Sequence, residues 1–157
     1  MKLFCFASTN LNNIEIGIRN KMWAVSSSNN DRTQLARTTK AKKYMDVGDV
    51  GLLYCSAAGV FTTPFIVKSH PDYNIVVENL WPGNWSMPFK IEPLGGLSRQ
   101  ISKSEAVHRW PFVQSRVMRN HGRIGIAAAM NITGTTVFVP ILISEHDWNI
   151  ILSDLAL

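Results

Sequence analysis

Two tryptophans, Trp81 and Trp85, flank the turn Pro82-Gly83-Asn84 in the stretch LWPGNWSMPFK. A Pro-Gly-Asn turn normally runs over a surface, and stacking of a nucleobase on an aromatic ring is worth about 1–3 kcal/mol per base. Indole faces displayed there could hold an unpaired base. Read as packing, the same side chains would fold back over the open end of a β-barrel as core. The charge distribution bears on the choice. Between Arg99 and Arg123 lie Arg99, Lys103, Arg109, Arg116, Arg119 and Arg123 against Glu105 alone, while the rest of the chain carries ten basic and ten acidic groups. The whole net charge of +5 therefore resides in this one segment, where His108 and His121 would add more at lower pH. A smaller basic cluster, Arg32, Arg37, Lys40, Lys42 and Lys43, lies upstream. Basic patches commonly meet phosphates, the alternative being a solvated face with no partner.

Catalytic patterns are missing. The sequence has no CxxC, HExxH or GxSxG, no GxxxxGK phosphate loop and no GxGxxG after a strand. His70, His108, His121 and His146 are scattered without metal-ligand spacing. Cys5 and Cys55 sit in apolar strand-like runs and read as two buried free thiols rather than a disulfide or a nucleophile. The expectation is a protein that is not an enzyme and carries no metal and no cofactor.

The elements that must position these residues follow from periodicity. KLFCFA reads as a strand, and STNLNN as a turn in which Asn10 or Asn12 caps a helix through IEIGIRNKMW, with Trp23 at its end. SSSNNDRTQ is an exposed loop and LARTTKAKKYM a short basic helix. GLLYCSA, VFTTPFIVKS, NIVVENL, PFKIEPL and TTVFVPILIS form a series of short strands, and SEHDWNIILSDL is a helix opened by a Ser144–Asp147 capping box. Many short strands with few helices predict an α+β fold: a small twisted β-barrel, closed or nearly closed, of about six strands with flanking helices. No repeat or linker divides residues 1–157, so one domain is expected. No apolar run approaches the roughly 20 residues that span a bilayer, and no secretion signal is apparent, so an intracellular address follows.

With these segments in place the sequence resembles the YTH domain and its relatives in the EVE and PUA-like superfamily, which bind modified bases in RNA or DNA. The strand followed by STNLNNI and MWAVS is similar to the YTH opening, LWPGNWSMPFKI to the paired-tryptophan loop, and GLSRQIS and FVQSRVMRN to later segments that touch phosphates. The likeness runs in order over roughly residues 2–120. The resemblance implies an aromatic cage of Trp23, Trp81 and Trp85 around the N6-methyl group of adenine. Asn13 would reach the Watson–Crick edge of the base, Thr9 would add a polar contact, and Ala24 or Ser26 would offer a carbonyl to the remaining N6 hydrogen. Arg99 and Arg116 match phosphate-contacting positions, and Lys103, Arg119 and Arg123 extend that basic face.

The tryptophans are one residue closer than in many YTH domains, and Thr9 stands where Asn is frequent. VGDVGLLYCS and GIAAAMNITGTTVFVPILISEHDW are more like EVE domains, which also accept modified cytosines. The implied function is a non-catalytic reader of a methylated base, N6-methyladenine foremost, in RNA or flipped out of DNA. Two alternatives stay open: an EVE-type reader of modified cytosine, and a PUA-like module for structured RNA with its tryptophans in the core. For a prokaryotic source, the EVE-like segments imply the sensor of a modification-dependent restriction system, its nuclease or NTPase residing on another chain or elsewhere in a longer one.

Overall fold

Alternation in the first strand decides the architecture. In β1 (Lys2–Ser8) Phe4 and Phe6 enter one buried cluster and Leu3 and Cys5 another, so both faces of the strand are covered. Such a strand belongs inside a sheet with layers on either side. The computed structural model describes residues 1–27, 30–119 and 124–157. In it β1 pairs in parallel with β3 (Val50–Cys55), from Leu3 opposite Val50 to Ser8 opposite Cys55. The crossover between them contains α1 (Leu11–Asn20), β2 (Met22–Ser26) and α2 (Asp31–Tyr44). β4 (Val60–Val67) returns antiparallel beside β3, and β6 (Trp85–Pro93) runs antiparallel to both β4 and β2.

The order β2-β6-β4-β3-β1-β8 gives six principal strands, with β8 at Ile141–Leu142. The short strands β5 (Val76–Val77) and β7 (Ile101–Ser102) add to β6 and β4. This is the expected α+β sheet of about six strands with flanking helices. Among the described residues its end strands, β2 and β8, do not pair with each other, so the curled sheet stays open.

One face packs Phe6, Phe65, Phe89 and Phe138 beneath α1 and α2 together with Trp23, Trp81 and Trp85. The other packs Phe61, Trp110 and Trp148 beneath α3 (Lys103–Arg109), α4 (Pro111–Val117) and α6 (Glu145–Leu155), with α5 (Ile126–Ala129) beside α4. Cys5 and Cys55 are free, buried and on opposite faces. Burial pushes the Cys5 thiol up to about 12, partly offset by the charge of Arg116.

Local signals explain the boundaries. Asn10 caps α1 by accepting the Asn13 N–H at 2.8 Å. Lys21 ends the helix in the left-handed region at φ 49°, so Met22 and Trp23 leave the expected helix and begin β2. The expected strand TTVFVPILIS shrinks to Ile141–Leu142, because Phe138 turns at φ 69° and Pro140 lacks a ladder donor. NIVVENL contributes two residues only. The helices α3 and α4 go beyond the sequence reading, although Ser102 with Glu105, and Pro111 at the first helical position, carry their start signals. The capping box of α6 forms in full.

Gly51 on β3 shows how tightly the first face is filled, since an added Cβ would lie 2.0 Å from the Phe65 ring. Overpacking of this kind costs about 1–3 kcal/mol or more. Gly51→Ala should lower the midpoint of urea denaturation accordingly, and an unchanged midpoint would show that Phe65 can move aside.

Candidate nucleic-acid interface

The candidate site is built around β2 and β6. Their register runs Trp23 opposite Phe89, then Val25 opposite Ser86 and Ser26 opposite Trp85, which leaves one extra residue on β6. Met87, fully buried at φ 60°, lies in this bulge. A non-glycine residue there costs of order 1–3 kcal/mol, and such bulges re-aim neighbouring side chains. Here the extra residue sets Trp85 across from Ser26 at the end of the ladder.

Trp23 projects from β2 onto α1, where Gly17 leaves room for its ring. Its ring centre lies 5.7 Å from those of Trp81 and Trp85, edge-on to both. Trp81 and Trp85 stack on each other at 4.9 Å with 29° between their planes. Trp81 donates its indole N–H to the Asn13 carbonyl at 2.9 Å, and Trp85 donates to the Pro82 carbonyl at 3.1 Å. The structure thus brings the three tryptophans together, and it buries them: Trp23, Trp81 and Trp85 are 0, 2 and 6% exposed, while Pro82, Gly83 and Asn84 face solvent. The expectation of tryptophans displayed on the turn is corrected here. The turn is exposed, and its flanking indoles fold inward because each finds apolar neighbours and a carbonyl for its N–H. Rings at 4.9 Å are in direct contact, within the usual range of about 4.5–7 Å for aromatic pairs, so no third ring lies between Trp81 and Trp85.

Beside Trp85 is a cavity of about 150 Å³ lined by Ala7, Ser8, Thr9, Asn13, Ser26 and Ser56 as well. Parallel pairing of β1 with β3 brings Ser8 and Ser56 together, and the Ser8 carbonyl accepts the Ser56 N–H at 2.9 Å. Asn13 Oδ1 and Ser8 Oγ are buried without a hydrogen-bond partner. A buried polar atom left so costs about 1–3 kcal/mol, which makes these atoms the site's main attraction for a polar ligand. Thr9 is exposed at the rim, Ser26 is exposed at the end of β2, and Ala24 is fully buried next to Trp23. Ser8 and Ser56 escaped the sequence reading, since only the strand pairing makes them neighbours.

The basic residues fall differently. The helices bearing Lys103, Arg109 and Arg116 pack on the face of the sheet opposite the tryptophans. Arg109 pairs with Asp154 and, at 3.8 Å, with Glu105. Arg116 is partly buried and donates to the Ala129 carbonyl; burial and the neighbouring Arg119 pull its pKa below the ordinary arginine value. Arg99 donates to the Ala156 carbonyl at 2.8 Å. Lys103 and Arg119 are exposed, and Arg123 lies outside the described residues. On the tryptophan side the cations come from α2, where Arg37 donates to the Ser26 carbonyl at 3.1 Å. His70, His108 and His146 are exposed, and no three His, Cys, Asp or Glu side chains among the described residues gather into a metal site. No helix among them is long and apolar enough to cross a membrane.

No family profile matches the sequence, and no curated protein matches it. Solved structures do match. The YTH domain of Zygosaccharomyces rouxii MRB1, in complex with N6-methyladenosine RNA, superposes with a TM-score of 0.50 at 15% identity over 71% of this chain and 66% of that one. The Pho92 YTH domain in complex with m6A gives 0.50 at 16% identity, over 71% and 65% of the two chains. The MmI1 YTH domain gives 0.51 at 12% identity, over 80% and 81%. The match thus takes in just under two thirds of the MRB1 and Pho92 domains. The fold is that of YTH domains.

The position of Trp23 depends on Gly17, because an added Cβ would meet the Trp23 ring at 2.8 Å and the Met22 carbonyl at 3.0 Å. Helix propensity alone would make Gly17→Ala stabilising by roughly 0.5–1 kcal/mol. Displacement of Trp23 should reverse that sign and alter the near-ultraviolet circular dichroism; a stabilised variant with an unchanged spectrum would refute the close packing.

Proposed function

We propose that this chain is a non-catalytic reader of a methylated base in RNA, foremost N6-methyladenine, with the base seated beside Trp85. The observation that carries the reading is the cavity itself, which combines an indole wall with the buried, partnerless Asn13 Oδ1 and Ser8 Oγ. A cavity of about 150 Å³ accommodates one six-membered aromatic ring, so a purine would fill it and extend to the mouth at Thr9. Asn13 and Ser8 would address the polar edge of the base. The MRB1 and Pho92 structures, which have the same fold, contain N6-methyladenosine RNA and m6A, in support of this ligand class. Single-stranded RNA is favoured over duplex DNA because flipping a base out of a duplex costs a few kcal/mol.

A buried methyl group gains ~0.8 kcal/mol, about fourfold in affinity. Larger selectivity requires that the unmethylated base leave an unfilled gap against the indoles. The burial of all three tryptophans favours a second reading, an RNA-binding module in which they are core and the base is not selected.

Titration of short single-stranded RNAs differing by one N6-methyl group separates the two. The reader should prefer the methylated strand by fourfold or more. Loss of the stacking wall in Trp85→Ala should weaken that strand about fivefold to a hundredfold with far-ultraviolet circular dichroism retained. Equal affinity for both strands would leave the second reading, and tighter binding of matched 5-methylcytosine or DNA strands would replace the base or the polymer.

A further inference from the structure

Next to the base cavity lies a smaller one of about 100 Å³, walled by Phe6, Trp23, Ala24, Arg37, Ile132 and Val137. Ala7 and Ser26 line both, so the two are immediate neighbours. The polar side-chain groups that its indole and guanidinium bring are donors. The Trp23 indole N–H and the Arg37 Nε–H are each buried without an acceptor, while another Arg37 N–H is engaged by the Ser26 carbonyl. No carboxylate among the described residues pairs with Arg37. Gln34 Oε1, on the preceding turn of α2, also lacks a partner, but Gln34 does not line this cavity.

This combination selects an occupant by charge. Burial pulls the Arg37 pKa below the ordinary arginine value, and no carboxylate among the described residues offsets it. Water accepting these N–H groups would leave the charge unanswered. An oxyanion answers both, and charge-assisted hydrogen bonds to guanidinium are roughly twice as strong as neutral ones. The far wall is held in place by Lys40, whose ammonium donates to the Thr135 carbonyl two residues before Val137.

We propose that this second cavity is a phosphate subsite, formed by Arg37 and the indole N–H of Trp23, that takes a backbone phosphate flanking the nucleotide whose base lies beside Trp85. The RNA source of the phosphate rests on the reader function proposed above; the oxyanion chemistry of the subsite does not. Arg37 thereby reads the backbone, and Ala7 and Ser26 form the border between the two cavities.

Two measurements on the unaltered protein test the subsite. In ¹H–¹⁵N spectra at constant ionic strength, inorganic phosphate should shift the Trp23 indole resonance saturably, and chloride should not. The shift should vanish in Arg37→Met and persist, weakened, in Arg37→Lys. Methylated RNA carrying a neutral methylphosphonate at one linkage beside the modified base should bind about tenfold more weakly, with no such penalty in Arg37→Met.

An unmoved Trp23 resonance together with full affinity for the neutral linkages overturns the subsite, even where Trp85→Ala still weakens binding and the reader function stands. A phosphate-dependent shift with no methylphosphonate effect overturns its assignment to RNA and leaves a site for free phosphate. A phosphate shift that survives when methyl selectivity is absent upholds the subsite and removes the reader. Should Arg37→Met fail to fold, the two measurements on the unaltered protein decide.

Discussion

The candidate site depends on the contact between the Trp23 ring and the backbone of α1 at Gly17. No side chain other than glycine leaves that surface open, and Trp23 is completely buried there. Once seated, its ring presents edges to both Trp81 and Trp85. Trp81 then reaches the first turn of α1 through the Asn13 carbonyl. Helix α1, strands β2 and β6 and the exposed turn 82–84 are in this way tied around one indole. The strained Met87 bulge is the local cost of this arrangement: it absorbs one residue so that Trp85 can end the β2–β6 ladder opposite Ser26.

A sheet covered on both faces also divides the charge. The segment from Arg99 onward holds the formal excess of positive charge, yet much of it serves the second layer. Arg109 answers Asp154, which also accepts the Trp110 indole N–H at 2.8 Å, and Arg116 satisfies the Ala129 carbonyl near the end of α5. Such cations are largely neutralised or committed where they stand. Screening over about 8 Å at physiological ionic strength further limits what they contribute across a sheet. The guanidinium that borders the tryptophans belongs to α2, a helix whose basic composition alone gave no reason to rank it above the longer downstream cluster.

Where the sequence was legible, the signal was local. The apolar run KLFCFA, the Asn10-or-Asn12 cap, of which Asn10 is the one used, and the Ser144–Asp147 box each specify structure over a few residues, and each forms. The tryptophan trio was legible only through the resemblance, since Trp23 and Trp81 are distant in sequence and no spacing rule joins them. What was not legible depends on pairing. Ser8 and Ser56 meet because β1 and β3 are parallel and in a particular register. The fate of TTVFVPILIS turned on Phe138 adopting a positive φ, against the β-branched propensity of its neighbours. Inward rotation of Trp81 and Trp85 likewise needed two carbonyls, of Asn13 and Pro82, that only the folded loop supplies.

The two adjoining cavities differ in the hydrogen-bonding groups they leave unused. Asn13 Oδ1 offers an acceptor beside Trp85, whereas the Trp23 indole and Arg37 offer donors beyond Ser26. A nucleotide carries the matching asymmetry, with N–H groups on its base edge and acceptor oxygens on its phosphate. Leaving such groups unpaired in a folded chain costs about 1–3 kcal/mol each, and the packed indoles around them allow little local rearrangement to relieve it. A ligand that pairs them recovers that cost on binding without first ordering the site. The closed tryptophan stack is consistent with such preorganisation: for the proposed reader it would be a fixed wall for the base, with the polar atoms on either side of Ser26 selecting the orientation of the nucleotide.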